Sequence, residues 1–135
     1  MLDPEIASPL WSDCCDARAR YFIEELSKQG RVLRLLDFFS FDFSGIHVVG
    51  LTIDGCRFWN CNFEHANFQG AHISNTILTG STLSDTVFKH ATLVNVDLSD
   101  ADLRNTDFEN AIFDHVTFFN VMTNEKTKWP IGKAS

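Results

Sequence analysis

The cysteines are the residues with the clearest capacity to bind a metal or form a disulfide bond. The chain has four of them, Cys14, Cys15, Cys56 and Cys61. Cys14 and Cys15 are neighbours in a segment with helical periodicity, and Cys56 and Cys61 occupy a position that is filled mostly by small residues. Such cysteines act as small hydrophobic side chains. We therefore predict four free thiols and no metal site.

Serine, threonine and carboxylate side chains could support hydrolysis if they converged in a pocket. The sequence shows no glycine-flanked nucleophile, glycine-rich phosphate loop or paired-carboxylate spacing. We predict no catalytic residue, no cofactor and no enzymatic activity. Residues 1–10 carry Asp3 and Glu5 where a secretory signal would carry basic residues and an apolar core, which predicts a cytoplasmic protein.

The elements that position these side chains follow from a five-residue repeat. Every fifth residue from Phe43 to Phe118 is large and apolar, sixteen in succession. The residue two places earlier is never charged, and the residue two places later is usually Gly, Asn or Asp, which favour turns. A period of five fits neither a helix nor a long strand. The chain must turn every five residues, and four such sides close a square coil of twenty.

The repeated units resemble a known family. Residues 66–70, 101–105 and 106–110 are similar to the A(D/N)LXX units of pentapeptide-repeat proteins. The resemblance covers residues 41–120 without an insertion. It implies an all-β solenoid, a right-handed quadrilateral parallel β-helix of about four coils with an N-terminal α-helical cap.

A spacing of twenty residues predicts which side chains stack in one column. The four sides are numbered here by the first apolar centre of each column. The first side begins with Phe43, the second with Val48, the third with Ile53 and the fourth with Phe58. At about 4.8 Å per coil, four coils form a stack about 19 Å tall.

The segments on either side of the repeats are predicted to close the two ends of the stack, which would otherwise expose unpaired backbone. A helix is expected near residues 12–29, with Ser12 as its N-cap and Gly30 as its stop. The apolar segment 31–39 should pack on the first coil, and Trp129 should cover the last. The predicted domains are an N-terminal helical cap (1–40), the repeat β-helix (41–123) and a C-terminal capping tail (124–135).

The histidines are the remaining candidate metal ligands. All five fall on outward or corner positions of the predicted coil, and no two share a column: His47, His65, His72, His90 and His115. We predict surface residues and no cluster of ligands.

The charge distribution limits the classes of partner. The net charge is −7, and residues 41–120 hold ten acidic against three basic residues. Phosphate binding needs clustered Lys and Arg, so we predict no direct binding of nucleic acid and no binding to membranes. A basic protein surface is the more natural partner.

A few outward positions carry apolar side chains, and these are the candidate partner surface. Trp59, Ile77 and Phe119 lie on the fourth side, and Val94 and Ile112 lie on the third. Three alternatives remain open: a homodimer interface, a surface for another protein, or a surface covered by the N-terminal helix.

These observations predict a non-catalytic protein-interaction or scaffold module with a protein partner. The alternative is an acidic, DNA-mimicking regulator of DNA gyrase, because the acidic repeats resemble those of Qnr-type proteins. The short stack of four uninterrupted coils favours the first function over the second.

Overall fold

The computed structural model describes residues 16–131. One helix, α1 (Asp16–Lys28), precedes seven strands. The strands are β1 (Val32–Arg34), β2 (Asp37–Phe39), β3 (Thr52–Asp54), β4 (Arg57–Trp59), β5 (His72–Ile77), β6 (Thr92–Asp97) and β7 (Ile112–Thr117). Every pairing between them is parallel. The fold is a parallel β-solenoid of about four turns with one N-terminal helix.

The coils pair at a spacing of twenty residues, as the repeat predicts. On the third side Thr52 pairs with His72, and His72 pairs with Thr92. The first and second sides are held by single parallel bridges, such as Asp42 to Asn62. Within residues 41–120, all of which the structure describes, there is no helix.

The corners require a left-handed backbone conformation. Nearly every corner residue of the stack has a positive φ, and most are Gly, Asn, Asp or His. Gly80 has φ 71°. A Cβ atom there would overlap the side-chain oxygen of Asn60 in the coil above, so this corner needs glycine for space as well as for conformation.

The predicted columns of apolar side chains form the core. Phe68, Phe88 and Phe108 stack on the second side with ring centroids 5.2 Å apart at each step and interplanar angles of 5° and 13°. Phe43 and Phe63 stack on the first side at 5.3 Å. The stacking predicted from the twenty-residue spacing is therefore confirmed.

The small inward position, two residues before each large one, has a hydrogen-bonding role. The hydroxyl of Thr86 donates to the carbonyl oxygen of Phe63 in the preceding coil at 2.7 Å. Thr106 makes the same bond to Leu83 at 2.7 Å. Because a small polar side chain here reaches the backbone above it, Thr and Ser are tolerated deep in the core.

The solenoid begins ten residues before the first repeat recognised in the sequence. Strands β1 and β2 pair with β3 and β4 at the same twenty-residue spacing, so 31–40 forms half a coil rather than only packing on one. Leu33 and Phe38 are the large inward residues of this half coil, and both are fully buried. Its corners are Leu35 and Ser40, with φ 59° and 60°. Neither Leu nor Ser belongs to the Gly, Asn or Asp residues that mark most other corners, so the sequence pattern did not reveal this half coil.

Helix α1 covers the N-terminal end of the stack. Its buried face consists of Ala19, Ile23 and Leu26. The helix ends before Gly30, which has φ 66° as predicted for its stop. The proposed N-cap, Ser12, lies outside the described residues.

The C-terminal tail continues the stack for two more sides. Met122 pairs with Asp102 at the usual spacing, but Lys128 pairs with Asp107, one residue further along. A longer turn between these two pairs accounts for the extra residue. The Trp129 ring stacks on Phe108 at 5.5 Å, which confirms that Trp129 covers the last coil.

Candidate interaction surface

The cysteines within the described residues are buried thiols. Cys56 and Cys61 are both fully buried and free. Burial raises the pKa of each thiol to about 11, so both are protonated and unreactive near neutral pH. Their Sγ atoms donate weakly to the carbonyl oxygens of Leu33 and Phe38, each at 3.5 Å. Cys14 and Cys15 lie outside the described residues.

One histidine lies beside two carboxylates. Glu64, His65 and Asp85 each offer a ligand atom, and these atoms lie within 4.8 Å of one another. Zinc bonds of about 2.0–2.2 Å bring ligand atoms closer together than this outer limit. The His65 side chain is 67% exposed, and its described ion-pair partner is Glu64. Exposed acidic groups often lie together without an ion, so this cluster alone does not indicate a metal site.

The structure separates the five predicted surface residues into smaller groups. Trp59 and Ile77 are diagonal neighbours on the fourth side, because Ile77 pairs in register with Arg57. Val94 and Ile112 are diagonal neighbours on the third side, because Val94 pairs with Asp114.

A polar corner divides these two pairs. The side-chain amide of Asn95 donates to that of Asn75 at 2.9 Å, and Asn75 donates to Asp54 at 3.1 Å. A shallow pocket at this corner is lined by Asn75, Thr76, Ile77, Asn95, Val96, Asp97 and Thr117. Phe119 lies in the last coil, apart from Trp59. The five residues of the candidate partner surface therefore do not form one continuous apolar area.

Helix α1 does not cover these residues. Its side chains bond to the first and second sides at the N-terminal end. The backbone N–H of Asp42 donates to Asp16 at 2.9 Å, and that of His47 donates to Glu24 at 3.2 Å. Lower in the stack, the equivalent N–H groups donate to a carbonyl oxygen of the preceding coil. The carboxylates of Asp16 and Glu24 therefore take the place of the backbone carbonyl groups that a preceding coil would supply.

The same helix also supplies donors. Arg20 donates to the carbonyl oxygen of Ser44 at 2.6 Å, and Ser27 donates to that of Val49 at 3.4 Å. In later coils the corresponding carbonyl oxygens accept backbone N–H groups from the coil above. At the N-terminal end α1 therefore caps the first and second sides, and β1 and β2 are the outermost strands of the third and fourth sides.

The C-terminal end is closed on two sides only. Residues 121–131 pair with the first and second sides, whereas β7 on the third and fourth sides pairs with β6 alone among the described residues. Here the inward side chains of Phe113, Val116 and Phe118 are partly exposed, unlike those above them. Around this edge, Ile112 and Phe119 are 62% and 73% exposed.

The arrangement of repeats, corners and columns corresponds to a known sequence family. A family model described as a pentapeptide repeat region matches residues 51–127. The chain belongs to the pentapeptide-repeat family. No curated protein sequence matches this pentapeptide-repeat chain.

Solved structures of pentapeptide-repeat proteins are similar in fold. One from the thylakoid lumen of Arabidopsis thaliana is 23% identical with a TM-score of 0.60, and the match covers 70% of this chain and 64% of that one. One from Nostoc PCC 7120 is 20% identical, covering 84% and 87%, with a TM-score of 0.43. QnrB1, a plasmid-mediated fluoroquinolone resistance protein, is 18% identical, covering 71% and 63%, with a TM-score of 0.32. The similarity to the Arabidopsis thaliana protein supports the fold alone. The TM-scores of the other two structures are too low to support a conclusion.

The acidic side chains of this pentapeptide-repeat stack serve the turns. Asp107 accepts the backbone N–H of Glu109 at 3.0 Å, and Asp97 accepts that of Ser99 at 2.9 Å. Such bonds from Asp or Asn stabilise turns whatever the partner. These bonds explain the two acidic residues as parts of the turns, without DNA mimicry. The alternative function, an acidic regulator of DNA gyrase that mimics DNA, stays a prediction.

Asp102 illustrates how a carboxylate is also neutralised locally. Arg104 bonds both of its oxygens, at 2.9 and 2.7 Å. These side-chain bonds hold the pKa of Asp102 below its ordinary value. Glu109 likewise lies 3.5 Å from Lys89.

The sequence pattern missed several exposed apolar residues of the pentapeptide-repeat chain. Leu35 and Phe39 are 66% and 61% exposed at the N-terminal end, and Met122 is 51% exposed at the other. Extending the five-residue frame back by two repeats would have placed Leu35 at a corner and Phe39 at an outward position. Within residues 16–131, no helix is long and apolar enough to cross a membrane.

Proposed function

We propose that this chain is a non-catalytic protein-interaction module that binds its partner at the C-terminal end of the stack. The observation that carries this proposal is the unpaired outer edge of β7 among the described residues, together with exposed Ile112 and Phe119. An edge strand offers a row of backbone donors and acceptors to an added strand. Apolar side chains beside it supply the area that such contacts need.

The partner is a protein, and a second copy of this chain is one candidate. Two copies related by a two-fold axis could each offer the same edge to the other. The charge of this end favours such an approach, because β7 and residues 121–131 hold Asp114 and Glu125 against Lys126 and Lys128. The excess of acidic residues lies in the repeats before β7. A cytoplasmic location remains part of this proposal.

The test is affinity capture from the native cell with one altered side chain at a time. We expect Ile112→Glu to lose the partners that the unaltered chain retains. Val49→Glu is the matched control, because Val49 is 50% exposed on the second side, away from β7. If both variants retain the same partners, the C-terminal end is not the binding surface. Analytical ultracentrifugation of the pure protein distinguishes a homodimer from other partners.

A further inference from the structure

The outer edge of β7 bends with the coil. The strand crosses from the third side to the fourth at His115, which has φ 57°. An edge strand of an ordinary sheet is straight, so it could pair with about three residues on one of these sides. Only a chain that turns where β7 turns can pair along both sides. The edge therefore fits an extended segment with a corner of its own.

The backbone groups along this edge are arranged for one more parallel strand. In the coil above, the N–H of Leu98 donates to the carbonyl oxygen of Thr117 at 2.9 Å. One coil later, the N–H groups of Phe118 and Asn120 have no acceptor among the described residues. A parallel segment beside β7 would supply carbonyl oxygens to both groups.

The inward side chains at this edge lack the cover that the same columns have higher in the stack. Leu93 and Leu98 lie between two coils and are fully buried. Phe113 and Phe118, the next residues of the same two columns, are only partly buried, and so is Val116. A segment that completes the coil would place one large apolar residue against each ring and remove its remaining area from water.

The chain itself shows which kind of segment fits the third and fourth sides. At the N-terminal end, residues 31–40 form these two sides beside β3 and β4. Leu33 and Phe38 point inward and are fully buried. The outward side chain of Arg34 lies 3.6 Å from Asp54 in the next coil. A half coil on these sides therefore combines two large inward residues, five apart, with a basic residue beside an acidic one.

The outward column that begins with Arg34 ends in a carboxylate. Its members pair in register from coil to coil: Arg34, Asp54, Ser74, Val94 and Asp114. Asp114 lies 2.6 Å from the Nδ1 of His115, and its side chain is 59% exposed, so its carboxylate can accept a further hydrogen bond. A basic residue placed beyond Asp114 in this column would pair with it as Arg34 pairs with Asp54.

The size of the edge favours a segment over the face of a folded partner. A side of five residues is at most about 16 Å long, and one layer of the stack is about 4.8 Å deep. Two such sides offer roughly a few hundred Å² of contact, whereas a stable interface between folded proteins buries about 800 Å² on each partner. An extended segment instead gains backbone hydrogen bonds along its whole length.

We propose that an extended segment of a partner protein, about ten residues long, adds to β7 in parallel and forms the third and fourth sides of a fifth coil. The segment carries two large apolar residues five apart, Gly or Asn at the turn between the sides, and a Lys or Arg that faces Asp114. This inference rests on the proposed binding at the C-terminal end and specifies the chemistry of the partner.

A peptide based on the chain's own repeats tests this inference with the full chain. The probe has the sequence of residues 91–100 with Val94→Arg and a fluorescent label at its N-terminus. Fluorescence anisotropy should show saturable binding of one probe to each chain. The control peptide has the same composition, but Asp97 and Leu98 exchange places, which turns a carboxylate inward. If the probe does not bind, or if the control binds equally well, the inference is wrong.

Charge exchange tests the contact with Asp114. We expect Asp114→Asn to weaken binding of the probe about two- to fivefold, as the loss of an exposed ion pair does. Asp114→Arg should weaken it further, and a peptide with Val94→Glu should restore binding to that variant. Asp54→Asn is the matched control, because Asp54 lies in the same column three coils from the edge. Equal effects of Asp54→Asn and Asp114→Asn would contradict the contact.

Amide hydrogen exchange locates the bound peptide. The N–H of Phe118 should exchange more slowly when the probe is bound, whereas the N–H of Leu98, which already has an acceptor, should not change. Binding without protection of Phe118 would place the peptide elsewhere and overturn the inference. If rising protein concentration weakens binding of the probe, a second copy occupies the edge and the inference is equally wrong.

The proposed function is tested separately by affinity capture with Ile112→Glu. If that variant loses its partners while the probe does not bind, the C-terminal end is a binding surface, but not for a segment of this kind. If the variant keeps its partners and the probe does not bind, both proposals are wrong.

Discussion

The small inward residues show how a polar side chain becomes part of a hydrophobic core. Ser81, Thr86 and Thr106 are buried, and each donates its hydroxyl to a carbonyl oxygen 23 residues earlier. Cys56 and Cys61 make weaker bonds of the same kind. From Cys56 onwards the position therefore holds mostly small side chains with a donor, or alanine. This explains why the cysteines require no redox or metal function.

Replacing Thr86 by valine should remove one buried hydrogen bond while preserving shape. The Phe63 carbonyl keeps the N–H of Ala66 as a partner at 2.9 Å, so we expect a loss of only about 1 kcal/mol in the free energy of unfolding. Urea denaturation measures the change. Thr82→Val is the control, because Thr82 points outward on the same coil. This change should lower the free energy of unfolding by less than half as much. Equal losses would mean that the hydroxyl bond contributes nothing specific.

The buried thiols should make the fold sensitive to alkaline pH. Burial raises the pKa of Cys56 and Cys61 from an ordinary value of 9.0 to about 11. The unfolded chain therefore loses these protons first, and the stabilising effect, fully present below pH 9, is lost as pH rises from about 9 to about 11. Thermal melting across this range should show a smaller decline for the Cys56→Ser and Cys61→Ser double variant. An identical decline would contradict this origin.

At the scale of elements, α1 acts as a substitute for half a coil. It supplies two acceptors and two donors where the preceding coil would have supplied backbone groups. The other half of the end is built by β1 and β2. On those two sides β1 and β2 are the outermost strands, because each pairs with one strand only among the described residues.

Removing one of these substitute acceptors should weaken the N-terminal end. Glu24→Ala leaves the N–H of His47 without its carboxylate partner, and we expect a loss of about 1 kcal/mol by chemical denaturation. Glu24→Gln keeps an acceptor oxygen and should lose less. Glu25→Ala is the control on the same helix, because among the described residues the Glu25 carboxylate pairs with exposed Lys28, and such an ion pair contributes little. A larger loss for Glu25→Ala would exclude the substitute-acceptor role.

The repeat period predicted the register and the core, because every fifth large residue must point inward in a square coil. It did not predict the half coil at residues 31–40, where Leu35 and Ser40 adopt a positive φ although neither is Gly, Asn or Asp. It also suggested one continuous partner surface. The twenty-residue spacing places Ile77 between Arg57 and Asp97 in its column, so the patch is broken by charge.

At the scale of the whole molecule, the two ends of the stack differ. At the N-terminal end α1 caps the first and second sides, whereas at the C-terminal end residues 121–131 continue the stack on those sides. The stacked rings of Phe88 and Phe108 on the second side are buried, but Phe113 on the third side and Phe118 on the fourth side are partly exposed. Stability should therefore decrease along the stack.

Two phenylalanines should reveal this gradient. Phe88→Ala in the middle should cost about 3–5 kcal/mol, because the ring is fully buried between Phe68 and Phe108. Phe118→Ala at the open end should cost less than half of that, because the ring is already partly in water. Chemical denaturation gives both values, with circular dichroism as the check on the fold. Equal costs would indicate that the C-terminal end is covered as well as the middle.

The constant length of each side also determines how the molecule can change its length. Each group of five residues turns the chain by a quarter of a revolution, and twenty residues bring it back to the same side. Inserting a second copy of one twenty-residue coil would move the C-terminal edge about 4.8 Å further from α1 without rotating it. A block of five would rotate that edge by a quarter turn relative to α1. The number of five-residue repeats, counted modulo four, therefore sets the orientation relative to α1 of any partner bound at the C-terminal edge.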